Sequence, residues 1–154
     1  KAVAFREAMQ PSFIKYCQQI VKNAKTLAET LLNLDCNIVS GGTDTHLVLM
    51  DLTKNRISGK KAEITLEKAG ITTNKNMVPF DEKTPMITSG IRIGTPALTS
   101  RGMKEPEMIQ IANLISDVIR NIEDENIIQH TRLQVSELCS AFPIYEEFLV
   151  DEMS

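Results

Sequence analysis

A chain of 154 residues with 42% hydrophobic side chains is the size of one domain built around a single core. Its 17 basic and 20 acidic residues are spread along the chain and leave a formal net charge of −3, which implies neither a nucleic-acid partner nor a polybasic membrane contact. No apolar run reaches the roughly 18 residues of a membrane span, and the opening KAVAFREAMQ lacks the layout of a signal peptide.

Pro11 suits the first turn of a helix, so the chain begins as a short helix over 2–9 and a long one over 11–33. In the long one, Phe13, Cys17, Ile20, Val21, Ala24, Ala28, Leu31 and Leu32 recur at three-four spacing, the mark of an amphipathic helix. CNIVS and HLVLMDL read as strands joined by the turn GGTDT, an antiparallel hairpin. Ser58 caps a helix through about Ala69, with Ala62, Leu66 and Ala69 on one face and Gly70 to end it. ITTN is a short strand, NKNMVPFDEKTP a polar loop punctuated by prolines, and SGIRIG a strand closed by Gly94 and Pro96.

A second long helix runs from about Pro106, because Met108, Ile111, Ala112, Ile115, Val118, Ile119 and Ile122 keep the same spacing. Glu105 and Glu107 stand at its start, where the helix dipole favours negative charge. A final helix near 126–141 turns Ile128, Val135, Leu138 and Cys139 inward. Helices and three or four strands without regular alternation predict an α+β two-layer domain. Its sheet is short, mainly antiparallel and covered by helices on one face, and residues 1–154 form one unit.

Most enzyme signatures are missing. SGGTD and SGIRIG both lack the spacing and the following helix of a phosphate-cradling loop. His46 and His130 are far apart with no cysteine or carboxylate at ligand spacing, so no metal site is predicted, and His46 reads as a structural residue at the start of a strand. Cys17, Cys36 and Cys139, odd in number and set among apolar residues, fit reduced, buried thiols of a cytoplasmic protein.

Two polar constellations remain. Arg92 sits between Ile91 and Ile93 and points opposite to both, toward either solvent or a cavity. In solvent it is an ordinary edge-strand arginine. In a cavity its fork of five donors suits a planar carboxylate, and Gly90 and Gly94 admit a ligand close to the backbone. The second constellation is Asn74 and Asn76, which bracket Lys75. At a period of two both amides share a side, with the donors and acceptors that read a heterocycle's edge, while turn chemistry beside a proline is the simpler reading of the residues alone.

VSGGTDTHLVLMDL, GITTNKNMVPFD and TSGIRIGTPALTSRGMKE, in this order and at this spacing, resemble the C-terminal small domain of serine hydroxymethyltransferase, a pyridoxal-phosphate family with an aminotransferase-like fold. The resemblance extends upstream through AVAFREAMQPSFIKYCQQIVKNAKTLAETL and downstream to ELCSAFPIY. It implies a cytoplasmic, homodimeric enzyme that moves the hydroxymethyl carbon of serine to tetrahydrofolate, giving glycine and methylenetetrahydrofolate. It further implies that Arg92, in the SGIR motif, binds the substrate carboxylate, that Asn76, the second asparagine of NKN, contacts the folate pterin, and that Lys75 lies near the folate's glutamate tail.

That family holds its cofactor on a Schiff-base lysine in a tract resembling TTTHKT, within a large N-terminal domain. No such tract occurs here, and the stacking histidine, the aspartate partner of the pyridine nitrogen and the phosphate loop belong to the same missing domain. With Lys1 standing first instead of methionine, the expectation is a detached C-terminal portion. It is inactive alone, carries no catalytic, cofactor-binding or metal-binding residue, and has residues 1–10 as the end of a helix leading from the absent domain. The alternative reading is a stand-alone amino-acid-binding or regulatory module.

Overall fold

The computed structural model describes residues 1–144. Tyr145, which ends ELCSAFPIY, and the remainder of the expected 1–154 unit lie outside the described residues.

Helix α1 (Ala2–Ala8) and helix α2 (Pro11–Asn33) part at Gln10, whose extended backbone is the conformation a following proline imposes. The apolar stripe of α2 buries Ile20, Ala24, Leu27, Ala28 and Leu31, but its first turns do not follow: Phe13 is 39% exposed, and the nearby contact is polar, Tyr16 Oη donating to the Pro96 carbonyl at 3.2 Å. Strand β1 (Asn37–Ile38) pairs antiparallel with β2 (Leu47–Asp51), Asn37 opposite Asp51 and Ile38 opposite Met50, so the hairpin is present. The strand expected over CNIVS is shorter, because Val39–Gly41 winds into a 3-10 turn. Ser40 and Gly41 take φ of 63° and 65° there, a left-handed conformation that ends the ladder.

Helix α3 (Gly59–Lys68) starts as expected, with Ser58 Oγ accepting the Lys61 N–H at 3.1 Å. It ends in a paired motif: the Gly70 N–H, at φ 81°, reaches the Glu67 carbonyl, and the Ile71 N–H reaches that of Leu66 at 2.8 Å. That ending consumes Ile71, so strand β3 falls on Asn74–Asn76 rather than on ITTN, and residues expected in a loop are paired. Strand β4 (Gly90–Gly94) is where SGIRIG predicts it. A five-residue helix, α4 (Pro96–Ser100), follows and was not expected. Helix α5 (Glu105–Arg120) starts one residue before Pro106. Helix α6 (Glu125–Ala141) is capped by Asp124, and it buries Ile128 while Val135, Leu138 and Cys139 are only half-buried. Cys17 and Cys36 are likewise half-buried rather than buried, and all three cysteines are free.

The sheet is antiparallel throughout, in the order β1-β2-β4-β3. Ile38, Val48, Met50, Ile91 and Ile93 on one face join Leu27, Leu31, Leu66, Met108 and Ile115 from the helices in one buried cluster. On the other face Arg92, Gly94 and Asn74 are exposed and Leu47 and Leu49 half-buried, so the two-layer α+β expectation holds.

A buried polar brace holds the segment after β4 against α2. Asn23, wholly buried, donates through Nδ2 to Thr99 Oγ at 2.9 Å and to the Met103 carbonyl at 3.0 Å, and its Oδ1 accepts from Gln19 at 2.9 Å. Thr95 Oγ donates to the Ile20 carbonyl at 2.9 Å, and the Thr95 N–H donates to the His46 carbonyl at 3.2 Å.

Helix α3 meets the sheet without space for a side chain. A Cβ added at Gly59 would lie 2.1 Å from Thr88 Oγ and 2.3 Å from the Gly90 carbonyl oxygen. Gly59→Ala should therefore lower stability by about 3 kcal/mol, the upper range for overpacking a tight core, read from urea denaturation midpoints. A loss under about 1 kcal/mol would mean that the helix approaches less closely than described.

Candidate functional site

Strand β4 alternates as its sequence requires: Ile91 and Ile93 are buried, and Arg92 emerges on the uncovered face. The register places Leu49 and Asn74 directly opposite Arg92 on its two sides, so these three form one row across the sheet. The next row is Asp51, Gly90 and Asn76. Arg92, Asn74 and Asn76 thus share one face, but of the two glycines expected to admit a ligand only Gly94 is exposed; Gly90 is buried, and a Cβ there would lie 2.7 Å from the Val78 side chain.

Among the described residues nothing accepts a hydrogen bond from Arg92. The contrast with other arginines is informative. Arg101 donates to the carbonyls of Phe142 (2.8 Å) and Cys139 (3.1 Å) at the end of α6, and Arg120 donates to the Leu34 carbonyl. Arg92 has the same donor fork and an open surface before it, an arrangement able to take a planar anion end-on.

Asn76 is half-buried, and its Nδ2 donates to the Met77 carbonyl at 2.8 Å, which orients the amide; among the described residues nothing donates to its oxygen. Asn74 is exposed. Lys75 points the other way, toward α3. Its backbone N–H donates to Glu63 Oε1 at 2.9 Å, and its ammonium lies 3.3 Å from Glu63 Oε2. The backbone hydrogen bond from Lys75 is the main reason that the Glu63 carboxyl is held below its ordinary value, aided by the ammonium and opposed by partial desolvation.

One organising residue escaped the sequence reading. Asp81 gathers the polar loop between β3 and β4 by accepting from the N–H groups of Val78 (3.3 Å), Lys83 (3.0 Å) and Ser89 (2.8 Å) and from Ser89 Oγ (2.7 Å). The only hint in the sequence is an aspartate two residues before Lys83, the spacing of an Asx turn. Desolvation raises its carboxyl, but these four donors outweigh it and hold the group at about 2. Fixing Ser89 fixes the entry into β4. Beside this knot, a cleft of about 600 Å³ lined by Asp51, Arg56, Phe80, Lys83 and Ser89 opens at the Asp51 and Gly90 end of the sheet.

No group of three histidine, cysteine or carboxylate side chains among the described residues could hold a metal ion, and no described helix is long and apolar enough to cross a membrane.

The family profile described as serine hydroxymethyltransferase matches residues 1–115. The chain belongs to the serine hydroxymethyltransferase family. It is also 55% identical over 145 residues to a serine hydroxymethyltransferase of Endomicrobium trichonymphae. The alignment covers 94% of this chain and 35% of that protein, so the chain spans about a third of the relative's length. The span matched by the serine hydroxymethyltransferase profile contains the whole sheet and therefore Arg92, Asn74, Lys75 and Asn76 together; helix α6 lies beyond it.

Acid should loosen the domain at two places, the loop before β4 held by Asp81 and the start of α5. Glu105, bound by the Lys22 ammonium, by the first turn of α5 and by Gln19, is also held at about 2. Both folded values lie below the ordinary 3.8 and 4.5, so the stability they contribute is complete above about pH 4.5 and is lost as pH falls toward 2. Denaturation midpoints should fall across that window, and Asp81→Asn should flatten part of the fall. A pH-independent midpoint there would contradict the assignment.

Proposed function

We propose that this chain is the C-terminal portion of a serine hydroxymethyltransferase and that its uncovered sheet face is one wall of the substrate site. The observation that carries this is Arg92, which meets no hydrogen-bond acceptor among the described residues and is raised on an open face beside the exposed Gly94, sharing that face with two asparagine amides. In the full protein Arg92 takes the carboxylate of serine or glycine through two parallel N–H···O bonds, which sets the rotation of the amino acid and therefore which of its Cα bonds is presented for reaction. Asn76 offers its amide oxygen to the pterin of tetrahydrofolate.

Lys75 sits on the edge strand with about a third of its side chain exposed, 32%, and meets the glutamate tail of the folate by turning its ammonium to a ligand carboxylate while its backbone N–H stays on Glu63. The described residues do not fit pyridoxal phosphate. The sheet's one lysine turns away from the Arg92 face and is tied to Glu63, so the cofactor is assigned to the large N-terminal domain of the full protein. Alone, the chain is inactive.

The exposed apolar side chains of α1, of Met9 after it and of the start of α2, Val3, Phe5, Met9 and Ile14, support packing against that domain. The full protein is proposed to be a cytoplasmic homodimer.

In the full-length protein, Arg92→Lys should raise the KM for serine at least about tenfold and lower kcat, since a point charge replaces a bidentate fork whose bonds are worth on the order of 1.5–3 kcal/mol. An unchanged KM would remove Arg92 from the site. For the isolated chain, calorimetry with serine or glycine should show no binding at millimolar ligand. Measurable binding without cofactor would favour a stand-alone amino-acid-binding module instead.

A further inference from the structure

We propose that Glu63 is a positioning residue for the amide side of this site: its carboxylate covers the outer edge of β3 and so fixes Asn74 and Asn76 on the Arg92 face. The inference rests on the functional reading above.

Strand β3 has little to hold it. It is three residues long, polar throughout, and lies at the edge of the sheet with only β4 beside it. Asn74 and Asn76 pair with Arg92 and Gly90. Lys75, between them, turns its N–H outward, where an edge strand presents unpaired donors. Glu63 meets that donor and the Lys75 ammonium with one carboxylate, at 2.9 and 3.3 Å.

The carboxylate comes from a rigid support. Helix α3 is capped by Ser58, pressed through Gly59 against Thr88 and Gly90, and buried through Ala62 and Leu66 on either side of Glu63. Glu63 is itself only 23% exposed, so its pairing is sheltered compared with the surface ion pairs of Lys61 and Lys68.

The period of two carries the consequence across the strand. Holding Lys75 toward α3 puts its neighbours on the opposite face, whereas a slip of one residue would bring Lys75 to the Arg92 face and turn both amides inward. No apolar side chain within β3 opposes such a slip, so the clamp on Lys75 holds the middle of the strand while Ile71 against the core and Val78 against Gly90 hold its ends. Its influence runs through β3 alone. Arg92 is held separately, by Ile91 and Ile93 in the core and by Thr95 against α2.

The test is a split between the two substrates in the full-length protein. Glu63→Ala should raise the KM for tetrahydrofolate about tenfold and leave that for serine within about twofold. Glu63→Gln, which keeps an acceptor for the Lys75 N–H, should restore most of the loss. Equal changes for both substrates would mean general loosening and would overturn the proposal, as would no change at all. Asn76→Ala serves as the control: if it leaves the folate KM unchanged, the folate reading itself fails and the proposal falls with it. Should Glu63→Ala fail to fold, hydrogen exchange of the unaltered protein decides. The Lys75 amide should be protected although it lies on a sheet edge, and rapid exchange there would show that the clamp does not exist in solution.

Discussion

The structure depends on one constraint in the strand Gly90–Gly94: a sheet with helices on one side only must bury alternate residues, and Ile91 and Ile93 are the ones that go in. Everything polar in the candidate site follows from that choice. Arg92 has no alternative to the bare face, and its cross-strand neighbours, Leu49 and Asn74, follow it there through the antiparallel register. A guanidinium would be costly on the helix side. On the open side it keeps its charge and its donors free, at the expense of leaving that face without a second layer.

Three side chains convert that pattern into fixed geometry, and none of them is on the face itself. Asn23 and its threonine partners lock the exit from β4 onto α2. Asp81 locks the entry into β4 by gathering four donors of the preceding loop. Glu63 locks the neighbouring edge strand. Each satisfies backbone groups that would otherwise be unpaired, the requirement that buried or edge peptide groups impose. The arrangement separates the two halves of the site: the arginine rides on a strand with core anchors, and the amides ride on a strand held by a charged clamp.

That separation suits the proposed function, in which two unlike ligands meet this face. A carboxylate needs one well-placed cation, which a central strand supplies rigidly. The proposed flat heterocycle with a long anionic tail needs hydrogen-bonding groups along an edge, and the amides of β3 are groups of that kind. The exposed apolar side chains of α1 and the start of α2 and the uncovered sheet are the surfaces that the proposed larger protein would cover.

Much of this was legible in the residues. Spacing located α2, α3, α5 and α6, the serine and glycine bounding α3 declared themselves, and alternation in GIRIG already set Arg92 against its isoleucines. Strand β3 was misplaced because Ile71 is apolar and β-branched while NKN is not. Only the ending of α3 and the pairing with β4 decide which three residues are extended, and both are properties of neighbours. The roles of Asn23, Glu63 and Asp81 were hidden for the same reason. Local periodicity is written in the chain, so the sequence by itself determined the long helices, the buried face of β4 and the side on which Arg92 stands. Which distant donor a single polar side chain meets, and whether a face stays open, is set by three-dimensional proximity, and only the tertiary structure decided it.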